Sequence, residues 1–363
     1  MTAPRTVTDI PTPALILDAD AMQANIERMA GFFREDDCKL RPHFKAHKTP
    51  EIARRQLAAG SCRGLTCATV DEAVAVADIC DDILIANEVI GPDKTARVAA
   101  ISASGVDMKI AVDSAEGLAM AGEAAVAAGT EIGVLVDVNV GMPRCGVPPD
   151  AAAELAARAT ETPGVRLRGL MGYEGHAVGI AERDKREQVT REAMDGLLAA
   201  VSTVREAGLP CEIVSAGGTG SYDITGRIAG ITEVQAGSYV LMDTAYAKLD
   251  SPFRQAIWVL GTVISRPAPG LCVTDSGHKA CTEDHGNPDV DGVEGASVLF
   301  LSDEHASITL PPASAITVGD RIRLIPSHID PTINLHDVIY VLEGDRVTDV
   351  WPIAARGYAG QRR

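Results

Sequence analysis

The stretch Arg41 to Thr49, RPHFKAHKT, gathers Arg41, His43, Lys45, His47 and Lys48 in an otherwise acidic chain. A lysine close to other cations has its ammonium pKa lowered, and the neutral amine forms an imine with a carbonyl. Two lysines compete for that part. Lys48 precedes Thr49-Pro50-Glu51, a threonine suited to an N-cap and a proline suited to the first helical position, so it reads as a loop lysine beside a helix start. Arg41, His43 and Lys45 alternate onto one face of a strand-like segment, with Lys45 at its end. Lys45 is the candidate for imine chemistry, and an ordinary surface lysine is the competing reading.

Two further segments carry chemistry. In SAGGTGSY, Ser215 to Tyr222, three glycines and a threonine follow the strand-like EIV, and their bare N–H groups can converge on an anion. AGSY, Ala236 to Tyr239, is a second such turn. An imine-forming lysine with a phosphate cradle suits pyridoxal 5′-phosphate, and a Schiff-base aldolase for sugar phosphates uses the same parts. In PSHIDPTINLHD, Pro326 to Asp337, His328 and Asp330 are one residue apart, and on an extended segment they point the same way. Imidazole with a hard carboxylate suits Mn²⁺ or Mg²⁺ better than a thiophilic ion. A polar turn ending in Asp-Pro has the same spacing.

These residues need elements to hold them. After Asp20, Met22, Ile26, Met29 and Phe33 fall on one helical face, and Asp20 with Gln23 has capping-box spacing. From there to about Tyr246, β-branched runs alternate with Ala-rich amphipathic runs. The strand candidates are KLRPHF, GLTCAT, DILIAN, MKIAVD, IGVLVDV, LRGLMGY, CEIVSAG and EVQAGSYV. That series predicts an α/β fold, a TIM-type (β/α)8 barrel, with a doubly wound sheet as the alternative. From Phe253 the strand-like runs are AIWVLGTVIS, LCVTDSG, ASVLFLSD, RIRLIP and VIYVLEGDRVTDVWPI, and EGDR between the two alternating halves of the last predicts a hairpin. The expected division is a barrel over residues 21–248 and a β-rich domain, from 1–20 and 249–363, that carries His328 and Asp330.

Barrel chemistry sits on loops after the C-terminal strand ends. Lys45, Thr69, Asn87, Asp113, Asn139 to Arg144, Tyr173 to His176, Gly217 to Tyr222 and Gly237 to Tyr239 all lie just past candidate strands. Thr69 and Asp113 equally suit helix N-caps. SAGGTGSY and AGSY fall on strands seven and eight, where barrel phosphate sites lie.

With 33 basic and 50 acidic residues in 363, the formal charge of −17 argues against a nucleic-acid surface or a polybasic membrane anchor. The N-terminus has no apolar signal region and no run of apolar residues is long enough to span a bilayer, so a cytoplasmic protein is expected. The eight cysteines form no C-x-x-C pair, which fits buried thiols rather than a disulfide or zinc framework.

Taken in order, RPHFKAHKT, SAGGTGSYDITG, EVQAGSYVLMD, PSHIDPTINLHD and DVWPIAARGY resemble the D-threonine aldolase and D-serine dehydratase family, which includes 3-hydroxy-D-aspartate aldolases. Its members are alanine-racemase-like, fold-type III pyridoxal phosphate enzymes with a barrel and a β domain. The resemblance implies that Lys45 forms the imine with the cofactor. It implies that Gly218, Thr219 and Gly220, with Gly237, Ser238 and Tyr239, bind its phosphate. Arg144, in MPRCGV, matches the arginine facing the pyridine nitrogen. Tyr173 and His176, in GYEGH, match a tyrosine near the ring and a histidine near the substrate. His328 and Asp330 match the metal pair, for Mn²⁺ or Mg²⁺ before Zn²⁺. Aldolase-like members resemble H-x-D and dehydratase-like members H-x-C, and this chain has Asp330.

The implied reaction is metal-assisted cleavage of a β-hydroxy-D-amino acid, D-threonine-like or 3-hydroxy-D-aspartate, to glycine and an aldehyde. The amino acid replaces Lys45 on the cofactor, the metal acidifies the β-hydroxyl, and a base, His176 or hydroxide at the metal, takes its proton. The rival is a dehydratase of D-serine or 3-hydroxy-D-aspartate. A non-catalytic pyridoxal phosphate carrier needs neither the β domain nor His328 and Asp330, and a racemase has no use for a metal. The resemblance also implies a homodimer, with the β domain of one subunit near the barrel mouth of another.

Overall fold

The computed structural model describes residues 4–357. Tyr358, the last residue of DVWPIAARGY, lies outside them. The chain divides into two compact units, one of Met29–Lys45 and Ile52–Gly237, the other of Met1–Arg28, Ala46–Glu51 and Ser238–Arg363. In chain order, strand β1 is Ala14–Asp18, and β2 Lys39–Leu40, β3 Leu65–Cys67, β4 Asp82–Glu88, β5 Asp107–Val112, β6 Ile132–Asp137, β7 Val165–Met171, β8 Ile213–Ala216 and β9 Glu233–Val234 follow.

Strands β2 to β9 build the first unit, paired in parallel in the order β2-β9-β8-β7-β6-β5-β4-β3. Bridges Leu40–Cys62 and His43–Thr66 return β3 to β2 and close the ring, which sets aside the doubly wound alternative. All eight expected strands form. KLRPHF contributes only Lys39–Leu40 as a strand; beyond them Arg41 and His43 N–H still donate to the Val234 and Ala236 carbonyls at 2.8 and 3.0 Å, and Pro42, which offers no N–H, accepts from Thr66 N at 2.8 Å. The helix Ala19–Phe32 buries Met22, Ile26 and Met29, and Phe33 just beyond it is buried too, as the period predicted. Its cap differs from the expectation. Asp18 Oδ1 accepts Ala21 N–H at 2.8 Å, so the helix starts two residues earlier than the Asp20 reading, and Gln23 instead bonds Glu27.

Arg41 departs from the expected alternation. Its wholly buried guanidinium binds Glu233 at 2.8 Å and Asp82 at 2.5 Å, the first residues of β9 and β4. Lys109, also wholly buried, adds Asp82 at 2.9 Å and Asp107, the first residue of β5, at 2.8 Å. Arg41 therefore serves the N-terminal end of the barrel, away from the loops that follow the strands. Burial alone pulls its pKa down, but Glu233 and Asp82 outweigh that and keep it charged. Arg41→Ala leaves the buried Glu233 without its cation, and a loss of about 3–5 kcal/mol is expected. Urea unfolding checks it: a shifted midpoint at constant slope supports the structural role, and an unshifted one refutes it.

The second unit contains β1 with β10 Ile257–Ala268, β11 Leu271–Thr274, β12 Asp289–Asp291, β13 Ser297–Leu301, β14 Ala306–Thr309, β15 Arg321–Ile325, β16 Val338–Glu343 and β17 Arg346–Pro352. Its main path is β13-β14-β11-β10-β1-β16-β17, with β15 pairing β10 and β12. β1 runs antiparallel to β10 and parallel to β16, and it buries Leu15, Ile16 and Leu17 completely. The EGDR hairpin joins β16 to β17, with Gly344 at φ +60° supplying the left-handed turn. Strands β12 and β14 were not anticipated. In this unit Lys48 Nζ donates to Asn334 Oδ1 and the Ala355 carbonyl, both at 3.1 Å, just before the helix Pro50–Ala58. Its loop reading stands, with a tethering role added. No helix among the described residues is long and apolar enough to cross a membrane.

Candidate active site

Lys45 occupies a single 3₁₀ turn, Phe44–Ala46, after β2. Phe44 and Ala46 are wholly buried and Lys45 is half-buried, so the turn is anchored on both sides of a partly accessible lysine. Thr69 is a helix cap, accepting Glu72 N–H at 3.2 Å. Asp113 is not: Ser114 caps the next helix, and Asp113 accepts Gly146 N–H at 3.2 Å. Asn87 donates to the Ala68 carbonyl at 3.0 Å.

Around the rim, Arg144 Cζ lies 5.5 Å from the centre of the Tyr173 ring, within cation–π range. A methyl group added at Gly218 would stand 3.3 Å from that ring, so the glycine-rich loop packs on Tyr173. The exposed His176 imidazole lies 3.2 Å from where a Cβ on Gly141 would sit, in the loop that leads to Arg144. The barrel unit thus brings together Arg144, Tyr173 and the Gly218 loop, and sets His176 beside the Asn139–Arg144 loop.

Within the glycine loop, Gly217 N–H donates to Glu174 Oε2 at 3.0 Å and Gly218 N–H to Ser221 Oγ at 3.2 Å. The Gly220 N–H donates to no protein atom among the described residues. A Cβ at Gly220 would meet the Val178 carbonyl at 1.9 Å, so packing alone already demands glycine there. Thr219 is nearly buried. A bare loop that keeps an amide in reserve, packed on an aromatic ring, fits a phosphorylated ring compound. Gly237 ends the barrel unit, whereas Ser238 and Tyr239 lie in the 3₁₀ turn Ser238–Val240 of the second unit, where Tyr239 packs 5.4 Å from Phe253.

A cluster that the motifs did not flag lies at the ends of β4, β5 and β6. Ligand atoms of Glu88, Asp113 and Cys145 lie within 4.8 Å of one another, and Asp137 adjoins them. Burial, with the neighbouring Glu88, pushes the Asp137 carboxyl up to about 8, and burial with Glu88 pushes the Cys145 thiol up to about 11. Both shifts favour the protonated forms of these groups. Nothing in the spacing signals this group, because its members come from separate strands and a loop.

In the second unit, His328 is extended but caps the short helix Ile329–Ile333, so Asp330 lies in a helical turn. The expected extended alternation of the pair is not what forms. Asp243 fixes this start: its carboxylate accepts Ile329 N–H at 3.1 Å and Tyr246 N–H at 2.9 Å. Asp330 Oδ1 lies 3.4 Å from Ser238 Oγ. His328 Nδ1 is 2.5 Å from Asp284 Oδ2, and the His285 ring stacks on His328 at 4.1 Å and 5°. Two stacked imidazoles have parallel lone pairs that cannot converge on one ion, so His285 forms a wall and Asp284 an orienting partner. Burial works to raise the Asp284 carboxyl, but the hydrogen bond and charge of His328 hold it below the usual range. With Nδ1 engaged, Nε2 is the nitrogen left for a metal. One imidazole and a carboxylate, with no thiolate, fit a hard or borderline divalent ion. Asp284 and Asp243 were missed because they reach the pair from 44 and 86 residues away.

Residues 17–245 match the alanine racemase N-terminal domain and residues 256–342 the serine dehydratase domain. A D-threonine aldolase of Arthrobacter sp is 41% identical over 96% of this chain and 94% of its own. A 3-hydroxy-D-aspartate aldolase of Paracoccus denitrificans is 34% identical, over 96% and 93%. The crystal structure of D-threonine aldolase from Filomicrobium marinum superposes with a TM-score of 0.94 at 36% identity, over 98% of this chain and 99% of that one. A match over most of the length, at these identities, means that the chain belongs to the D-threonine aldolase and D-serine dehydratase family of lyases, built on the alanine racemase fold.

Proposed function

We propose that this protein is a pyridoxal phosphate- and divalent metal-dependent aldolase that cleaves β-hydroxy-D-amino acids to glycine and an aldehyde. The observation that carries it is the full-length similarity to two aldolases, 41% and 34% identical. Asp330, completing H-x-D with His328, supports it. When bound, the cofactor supplies an electron sink for the pair left on the carbon that keeps the amino group, and the metal a Lewis acid for the β-hydroxyl.

The chain's own residues do the rest. Lys45 is the residue whose amine would hold the cofactor through its carbonyl. The loop of Gly218, Thr219 and Gly220 would hold the phosphate, with the Gly220 N–H as its available amide and Gly237, Ser238 and Tyr239 assisting, while the Tyr173 ring and Arg144 would orient the heterocycle. Arg144, if it met the pyridine nitrogen as the family resemblance implies, would as a cation disfavour its protonation. His176 takes the β-hydroxyl proton as the Cα–Cβ bond breaks, and His328 and Asp330 hold the metal, Mn²⁺ or Mg²⁺ before Zn²⁺. A homodimer is the assembly that the family resemblance supports.

A product assay tests this. Purified protein with pyridoxal phosphate and Mn²⁺ is offered D-threonine, D-serine and 3-hydroxy-D-aspartate, with and without chelator. Glycine plus an aldehyde, abolished by chelation, is the expected outcome, and the better substrate names the side-chain preference. Ammonia plus a 2-oxo acid makes the protein a dehydratase. A bound cofactor with no turnover points to a carrier.

A further inference from the structure

Glu174, which follows Tyr173 in GYEGH and was assigned no role from the motif, is wholly buried. Its carboxylate accepts the Gly217 N–H at 3.0 Å, the Ser221 hydroxyl at 2.7 Å and the Thr225 hydroxyl at 2.6 Å. Ser221 and Thr225 are themselves wholly buried. A carboxylate taken out of water is costly and persists only where its lone pairs are met. Here the glycine loop and the short helix Tyr222–Thr225 that follows it meet them, from 43 to 51 residues along the chain.

The geometry has a direction. Ser221 spends its proton on Glu174, which leaves its oxygen to accept the Gly218 N–H at 3.2 Å. Gly217 is held at φ +77°, a left-handed conformation suited to glycine. The amides at the root of the loop are therefore tied inward, and the Gly220 N–H at its tip is kept in reserve. A loop shaped before its ligand arrives spares the ordering cost on binding.

We infer that Glu174 is the positioning residue that shapes the phosphate-binding loop, and through it the preference of this protein for a phosphorylated pyridoxal over pyridoxal itself. The inference rests on the cofactor reading proposed above. Glu174 touches neither ring nor phosphate in this account; it acts through Gly217, Ser221 and Thr225.

Binding of pyridoxal 5′-phosphate and of unphosphorylated pyridoxal to the apoprotein, followed by imine absorbance, separates this role from general support of the fold. Glu174→Ala is expected to weaken the phosphorylated ligand about 10-fold or more while leaving pyridoxal within about 3-fold. Glu174→Gln and Thr225→Val, which each disturb part of the network, shift the preference the same way by less. Thr225→Val carries the test if Glu174→Ala does not fold. Equal weakening of both aldehydes, or an unchanged preference, overturns the inference while leaving the cofactor reading intact. Wild-type protein that binds neither aldehyde overturns the cofactor reading and the inference with it.

Discussion

Lys45→Ala is expected to abolish the imine absorbance of the bound cofactor and to lower turnover on the order of 10⁴-fold or more, because no other group supplies the covalent attachment. Lys48→Ala is the control within the same motif. Its ammonium is committed to Asn334 and the Ala355 carbonyl, so its loss lowers stability by about 1–3 kcal/mol and leaves the imine in place. Absorbance titration with the cofactor, run beside thermal unfolding, reads both effects. Loss of the imine in the Lys48 variant, with retention in the Lys45 variant, would falsify the assignment. The structural distinction is clear: Lys45 is half-buried on an anchored turn of the barrel unit, whereas Lys48 is a tether within the other unit.

Removal of the metal residues is expected to have an effect of comparable size and a different signature. His328→Ala and Asp330→Ala each lower aldehyde release on the order of 10³-fold and weaken Mn²⁺ binding, yet leave the imine absorbance unchanged. Asp284→Asn keeps its shape but gives up the charge that holds His328 Nδ1, and Mn²⁺ affinity is expected to fall about 10–100-fold. Electron paramagnetic resonance of added Mn²⁺ counts free against bound ion without relying on turnover. Full Mn²⁺ affinity in both His328→Ala and Asp330→Ala would sink the metal assignment. An unaffected Asp284→Asn would show that His328 needs no orienting partner.

These two predictions differ in how far they were readable before folding. The place of Lys45 just past a strand was legible because its motif put it at the end of a strand-like segment. Asp284 was not, because nothing local links EDHG to SHIDP; the two loops meet only when Thr282 and Thr332 join them, with hydroxyls 3.0 Å apart. The strands show the same contrast. The eight parallel segments were visible as apolar runs, since strands covered on both faces need apolar side chains throughout. β12, Asp-Val-Asp, was invisible because aspartate disfavours strands, and its pairing with β15 is a tertiary gain. The short β14 has its place in the sheet from β11 and β13, which flank it.

By itself the sequence determined the eight parallel strands of the barrel, the β-rich remainder and the identity of the residues that follow each barrel strand. Those properties follow from periods of two and 3.6 and from motifs whose members are neighbours in the chain. Only the tertiary structure decided partners. Arg41, which alternates with Lys45 on paper, turns to Glu233, 192 residues away, because a buried guanidinium must find a carboxylate. Glu174 is drawn to Gly217, Ser221 and Thr225 by the same need. Buried charge is satisfied by whatever donor or acceptor the closed barrel brings within 3 Å, and chain proximity has no say in that choice.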